Sequence, residues 1–169
     1  MKAKVLPDSL PLTLSCMKQL IIRGSRDPLV IQLANRIVEN VPDRATVTPE
    51  QQDRLEIAAV WRWVKTNIRY TRDGWDLVHN VPGEKLADCE ATLRLRGGDC
   101  DDHVILAGAI LTAIGQRVEI WTGGRRRPVH VFLVAYTTAG TAQIIDTTAK
   151  HIPFGQQPGG PGWSFWRYE

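Results

Sequence analysis

Between Val104 and Ile114 the chain carries no charge and a single polar side chain, Thr112, and the residues just before this run read "RGGDCDDH". An apolar stretch with no polar face must be covered on all sides, so it sets the centre of whatever the chain folds into. Its punctuation is that of a helix. Asp99 can accept a hydrogen bond from a free first-turn amide, Asp101 and Asp102 favour the positive end of the dipole, and Gly115 supplies a left-handed stop. We therefore expect a core helix over about 99–115, with Cys100 on its first turn. The small residues Ala107, Gly108 and Ala109 would let another backbone approach closely, which suits packing against a sheet.

The flanking sequence supplies the layers. Asp27 before Pro28 reads as an N-cap and first helical residue, and Leu29, Leu33, Ile37 and Val41 recur at four-residue spacing up to Pro42. Thr48 and Gln51 around Pro49 fit a capping box, and Ile57, Trp61, Val64 and Ile68 form the buried stripe of a helix running to about Asn67. From Tyr70 to Arg96 the turn chemistry of "RDGWD" and "NVPGEK" reads as an irregular connection. After the core helix, "RVEIW", "VHVFLVAY" and "AQIIDTT" read as the strands of a meander. The expectation is one α+β domain over 1–169: helices at about 20–69, the core helix, a small antiparallel sheet at about 117–148, and a tail at 153–169.

That tail, rich in proline and glycine, is expected to lack regular structure. It also carries Trp163, Phe165, Trp166 and Tyr168, too many aromatics to leave in water, so it should fold back over the domain or dock onto a second copy.

Composition excludes several classes. With 43% hydrophobic and 23% charged residues, a disordered or collagen-like chain is ruled out. A net charge of +3 is too mild to argue for nucleic acid. No run of 18 uncharged apolar residues indicates a membrane span, and "MKAKVLPDSLPLTLSC" is cut by Pro7, Asp8 and Pro11 before an export signal could form. Cys16, Cys89 and Cys100 are sparse and lack C-x-x-C spacing, so neither a disulfide framework nor a structural zinc site is indicated, and a cytoplasmic setting is the default.

Strand alternation aims particular side chains. Val129, Val131, Leu133 and Ala135 face one way, and His130, Phe132, Val134 and Tyr136 the other. Hairpin register then decides what His130 meets. A two-residue loop, Ala139 and Gly140, would place Asp146 opposite Leu133, on the wrong face. A three-residue loop, Thr138 to Gly140, with Gly140 in the left-handed position of a bulged turn, pairs Asp146 with Phe132. Asp146 is then a same-face diagonal neighbour of His130, at roughly 7–8 Å between backbones. The glycine favours the second case.

A cysteine on the first turn of a helix sits where free amides and the dipole favour a thiolate, and a nearby histidine would favour it further. Cys100 is then a nucleophile, His130 its base, and Asp146 the group that orients the imidazole. The plain alternatives are a small buried Cys100, a half-buried strand His130 and a turn-forming Asp146. The neighbouring aspartates oppose a thiolate, and are expected to cap the helix and point outward. Cys100 and His103 with Asp99 or Asp102 have metal-ligand spacing but lack further ligands, so no metal or cofactor is expected; His103 should pack at the helix start. Arg125, Arg126 and Arg127 lie on the loop entering the His130 strand, where they could receive a substrate carboxylate or phosphate.

Cys100 in "RGGDCDDHVILAGAILTAIG", His130 in "VHVFLVAY" and Asp146 in "IIDTTA" resemble the Cys, His, Asp order of the transglutaminase-like cysteine peptidase superfamily. The likeness extends back through "AAVWRWVKTNIRYTRD" (Ala58 to Asp73) and covers about residues 20 to 150; the "RYTRDGWD … GGDCDDH" layout is similar to small members carried by phages and prophages. The resemblance implies a papain-like α+β fold and acyl transfer through a thioester on a peptide or protein substrate, by hydrolysis or to an amine, and a bacterial-cell or virion setting. It also includes members that keep the fold as assembly or binding proteins without catalysis. The family often has a proline after the aspartate, where this chain has Thr147, and an aromatic near the histidine, which Phe132 satisfies. An oxyanion hole would use the Cys100 amide and a second donor, for which Trp75, Asn67 and Asn80 are candidates.

Overall fold

The computed structural model describes residues 10–71, 75–76, 81–82 and 86–168. The apolar run forms helix α5 (Cys100–Ala113), buried continuously from Asp102 to Leu111. Around it pack α1 (Leu10–Gly24), α2 (Pro28–Val38), α3 (Pro49–Asn67) and α4 (Cys89–Leu95). Strands β5 (Arg117–Gly124) and β6 (His130–Tyr136) cover the remaining side. With β7 (Ala142–Ile145) and β8 (Ser164–Arg167) they make an antiparallel sheet of order β7-β6-β5-β8. The expected α+β class, a Cys-bearing core helix on a small antiparallel sheet, is the one observed. Ile105, Leu106, Ile110 and Leu111 have no exposed surface. Truncating any of them to alanine should remove about 2–5 kcal/mol of stability.

The capping reads hold. Asp27 accepts from Leu29 N at 2.8 Å, and Thr48 and Gln51 form the reciprocal box at the start of α3. α2 stops at Val38, short of Val41. The core helix likewise ends at Ala113, with Gly115 at φ +86 beyond it.

Two helices, two short strand pairs and the last strand escaped the sequence reading. α1 begins at Leu10, well before the expected helical part, because Pro11 falls in the first turn, where its missing N–H is not needed. Its Leu14, Met17 and Ile21 are buried, and Ile21 packs against Gly108, where a Cβ would come within 2.8 Å of Ile21 Cδ1. α4 lies inside the stretch read as irregular, started by Asp88, which accepts from Ala91 N. Short pairs accompany it: β1 (Arg69–Tyr70) runs parallel to β4 (Gly97–Gly98), and β2 (Trp75–Asp76) is antiparallel to β3 (Val81–Pro82). Finally, the tail contributes β8 in spite of its prolines and glycines, with Trp166 buried. Its turns are made by Gly155, Gly159 and Gly162, all at positive φ, and these release a regular strand only at Ser164.

The hairpin has the three-residue loop. Thr137 N donates to Thr141 O at 3.0 Å, Gly140 N donates to Thr137 O at 2.8 Å, and Gly140 has φ +85. Tyr136 pairs with Ala142 and Leu133 with Ile145, which carries Asp146 into register with Phe132. Asp53 on α3 braces the loop: its carboxylate accepts Thr138 N at 2.6 Å and the Thr138 hydroxyl.

Gly140 has open space around it, so a substitution there tests backbone conformation alone. Gly140→Val should cost about 1–2 kcal/mol in urea unfolding, and Gly140→Asn clearly less, because asparagine tolerates the left-handed region. Equal losses for the two would mean that this turn does not set the register.

Candidate active site

The start of α5 is assembled from "GGDCDD". Asp99 caps it, its Oδ1 accepting from Asp101 N at 3.0 Å and Asp102 N at 3.3 Å. Asp102 is buried and works in the reverse direction, taking Asp99 N at 3.3 Å on Oδ2 and Ala87 N at 2.8 Å on Oδ1. Gly98 must be glycine for this to fit, since a Cβ there would lie 2.5 Å from the Cβ of Asp102. Cys100 is thereby held on the first turn, partly buried.

The expectation that the aspartates point outward is corrected at two of them. Asp102 turns inward to bond backbone amides, as its burial requires. Asp101 lies beside the sulfur, with Cys100 Sγ donating to its Oδ1 at 3.7 Å. The thiol is therefore not activated in this state. Burial, then the charges of Asp101 and Asp99, push Cys100 up to about 12, against the opposing pull of the Val131 backbone N–H. The expected helix-stabilised thiolate is outweighed by desolvation and by two carboxylates.

His130 and Asp146 are brought together. His130 Nε2 lies 2.9 Å from Asp146 Oδ2, with side-chain exposures of 17% and 1%. Burial alone would raise the Asp146 pKa. The His130 hydrogen bond and charge, with the Thr148 N–H and hydroxyl, outweigh it and bring the carboxyl down to about 2. Its Oδ1 accepts Thr148 N at 2.9 Å, Thr148 Oγ1 at 2.8 Å and Ala149 N at 3.2 Å. Trp61 Nε1 donates to the Asp146 carbonyl at 2.8 Å. Lys65 ties the following turn to α3 through the Ala149 and Ile152 carbonyls, both at 2.9 Å. The turn after Asp146 is thus held by the Thr148 amide and hydroxyl and by helix α3.

Cys100 and His130 line one cavity of about 220 Å³, together with Asp99, Asp101, Thr122, Pro128, Val129 and Val131. Leu10, Thr13, Leu14 and Met17 of α1 form its remaining wall, which the sequence reading missed along with that helix. With Nε2 on Asp146, Nδ1 of His130 is the nitrogen left for the cavity. Of the other expected residues, those that are described fall outside it. Arg125, Arg126 and Arg127 are exposed on the β5–β6 loop and do not line the cavity. Asn67 donates to Trp63 O at 2.8 Å and lines a groove among α2, α3 and α4, so its amide is not an oxyanion donor here. Trp75 is on β2, but its side chain lies outside the described residues, as does all of Asn80.

His103 is buried one turn along from Cys100, its Nδ1 at 2.9 Å from Thr147 Oγ1. Its Nε2 faces Arg69 without a hydrogen bond of good geometry. Burial, opposed by the Arg69 carbonyl and Asp146, depresses its pKa to about 4. Cys89 is a core thiol, pushed up to about 12 by burial and then by Asp88 and Asp27, while Cys16 is exposed. Among the described residues, the set that could converge on a cation is Asp99, Cys100 and Asp101, whose ligand atoms lie within 4.8 Å of one another.

Asp101→Asn removes a charge and an acceptor from the sulfur. It should speed iodoacetamide labelling of Cys100 at pH 8 by about tenfold for each pK unit recovered, read by peptide mass spectrometry. An unchanged rate would mean that Asp101 does not hold the thiol. His103 is neutral in the folded chain and binds a proton only near pH 4, whereas unfolded it does so near 6.5. The unfolded state therefore takes up protons first, and stability falls by about 3 kcal/mol as pH drops from about 6.5 to about 4. Urea unfolding of His103→Gln should lack that component of the acid loss.

No protein-family model and no curated protein matches the chain. Solved structures do. A candidate protease of Parabacteroides distasonis is similar over 80% of this chain and 26% of its own, with TM-score 0.58 and 12% identity. A candidate cysteine protease of Cytophaga hutchinsonii is similar over 86% of this chain and 50% of its own, with TM-score 0.53 and 18% identity. A structure described as a TGase is similar over 79% of this chain and 35% of its own, with TM-score 0.49 and 15% identity. The chain spans a quarter of the length of the first and half of the second, and what it shares with those two is the fold. The α+β fold expected from the sequence is thus the fold observed, and it is shared with those two structures.

Proposed function

We propose that the chain is a cysteine hydrolase acting on a peptide or other amide through Cys100, His130 and Asp146. One observation carries the reading: an imidazole held by a buried carboxylate at 2.9 Å lines the same small cavity as a cysteine on the first turn of the core helix. Cys100 Sγ attacks the carbonyl carbon as His130 Nδ1 takes the thiol proton, and the π electrons move onto oxygen. Collapse expels the amine, which receives that proton, and leaves an acyl thioester. Water, deprotonated by His130, then attacks the thioester carbon; collapse breaks the C–S bond, His130 returns its proton to Sγ, and the acid leaves. A thiol near 12 supports proton transfer in step with attack rather than a standing ion pair. The Asp99 cap engages the amides of Asp101 and Asp102 and not that of Cys100, which supports the Cys100 N–H as an oxyanion donor.

The finer parts of the reading belong to the same proposal. Arg125, Arg126 and Arg127 would meet a substrate carboxylate from the loop outside the cavity. An amine in place of water would make the reaction a transglutamination. The setting is a bacterial cell or a virion. The Sγ–H bond to Asp101 favours one alternative, a catalytically silent assembly or binding protein with the same fold.

p-Nitrophenyl acetate separates these readings without knowledge of the natural substrate. In a Cys16→Ser background we expect a stoichiometric burst of nitrophenolate with acetyl on Cys100, lost in Cys100→Ala and slowed at least about a hundredfold in His130→Ala. Turnover in buffer marks a hydrolase, and acetyl transfer to added glycine methyl ester marks the amine route. No acetyl on Cys100, or no effect of His130→Ala, would sink the enzymatic reading.

A further inference from the structure

Gly123 of β5 lies between two strands, paired with His130 on one side and with Phe165 of β8 on the other. Having no side chain, it leaves a gap on the His130 face of the sheet, and the tail fills it with rings. A Cβ on Gly123 would come within 2.9 Å of Trp163 Cε3 and 3.0 Å of Phe165 Cε1. On the other side Gly159, at φ +92, gives way in the same manner, since its Cβ would fall 2.4 Å from Trp163 Cδ2. The indole is therefore seated between two glycines.

What it touches there is the imidazole. The Trp163 and His130 ring centroids are 6.5 Å apart at an interplanar angle of 66°, an edge-on contact. Phe132 stacks on His130 at 6.3 Å and 22°, and Phe165 links the two supports, 6.0 Å from Phe132 and 6.3 Å from Trp163. The second torsion of a histidine is broad and close to two-fold, so one hydrogen bond to Asp146 does not by itself fix the ring. Two aromatic walls at different angles do.

We propose that Trp163 is a positioning residue for His130, and that the tail is thereby part of the catalytic apparatus. This rests on the reading of His130 as the base. Trp163 acts through the imidazole: with Phe132 it holds the ring plane in which Nε2 meets Asp146 and Nδ1 is left free of that hydrogen bond.

The test uses the full chain in the Cys16→Ser background. Trp163→Ala should slow the acetylation burst roughly two- to tenfold, the equivalent of one aromatic pair, and Trp163→Phe should restore most of it. We expect an Nε2–H signal of His130 in the NMR spectrum of the wild type; it should broaden or vanish in Trp163→Ala and return in Trp163→Phe. Packing of the tail alone would not move that signal. If Trp163→Ala fails to fold, Trp163→Leu keeps the bulk and should give the same loss. A folded variant with the wild-type burst and the wild-type His130 signal would overturn the proposal. If instead His130→Ala leaves the burst unchanged, the catalytic reading fails, while the NMR signal still reports whether Trp163 holds the ring.

Discussion

Everything at the site depends on where α5 begins. The Asp99–Asp102 box stops the helix at one residue, and each residue of helix turns a side chain by about 100°. A start shifted by one position would therefore swing Cys100 out of the cavity it shares with His130. A capping interaction contributes only about 1 kcal/mol on its own. Here it is reinforced from outside the helix, because Asp102 also bonds Ala87 and packs against Gly98. β1, pairing with β4, fixes the chain that enters the cap. The helix start is locked by local capping and by tertiary contacts that agree with it.

The second half of the site is fixed independently, by the register of one hairpin. Gly140 sets the loop length, Asp53 pins Thr138 to α3, and pairing then delivers Asp146 to the His130 face. α3 recurs in this work: Asp53 holds the hairpin tip, while Trp61 and Lys65 hold the turn after Asp146. The helix that reads in sequence as an ordinary amphipathic element is thus the frame against which the carboxylate is positioned. Its polar residues, not its apolar stripe, do the aiming.

Much of this was legible in the sequence because it is local. Caps at Asp27, Thr48 and Asp99, the glycine at 140 and strand alternation through His130 all act over a few residues, and the structure contains each. Failures came where a local signal was read against the wrong alternative. Pro11 reads as an interruption of an apolar leader until it is placed in a first turn, and the prolines and glycines of the tail read as precluding regular structure until β8 pairs with β5 and Gly159 makes room for Trp163. Two outcomes were beyond local reading. Asn67 faces Trp63 O because the end of α3 points away from the cavity, and the side on which Asp101 falls depends on the packing of α1 and β6 around the sulfur.

The charges around Cys100 can now be separated by what each one opposes. Asp99 and Asp102 accept four backbone amides between them, those of Ala87, Asp99, Asp101 and Asp102, so their negative charge is matched by N–H dipoles and they act on the helix before they act on the sulfur. Asp101 stands on the side of the sulfur. Its carboxylate meets the thiol, and together with burial it leaves the sulfur protonated in a site whose imidazole is already held by a carboxylate. A chain that needed only a stable helix could place any small polar residue at 101. Asp101 instead sets its charge against the sulfur, where a small neutral polar residue would leave the thiol easier to ionise.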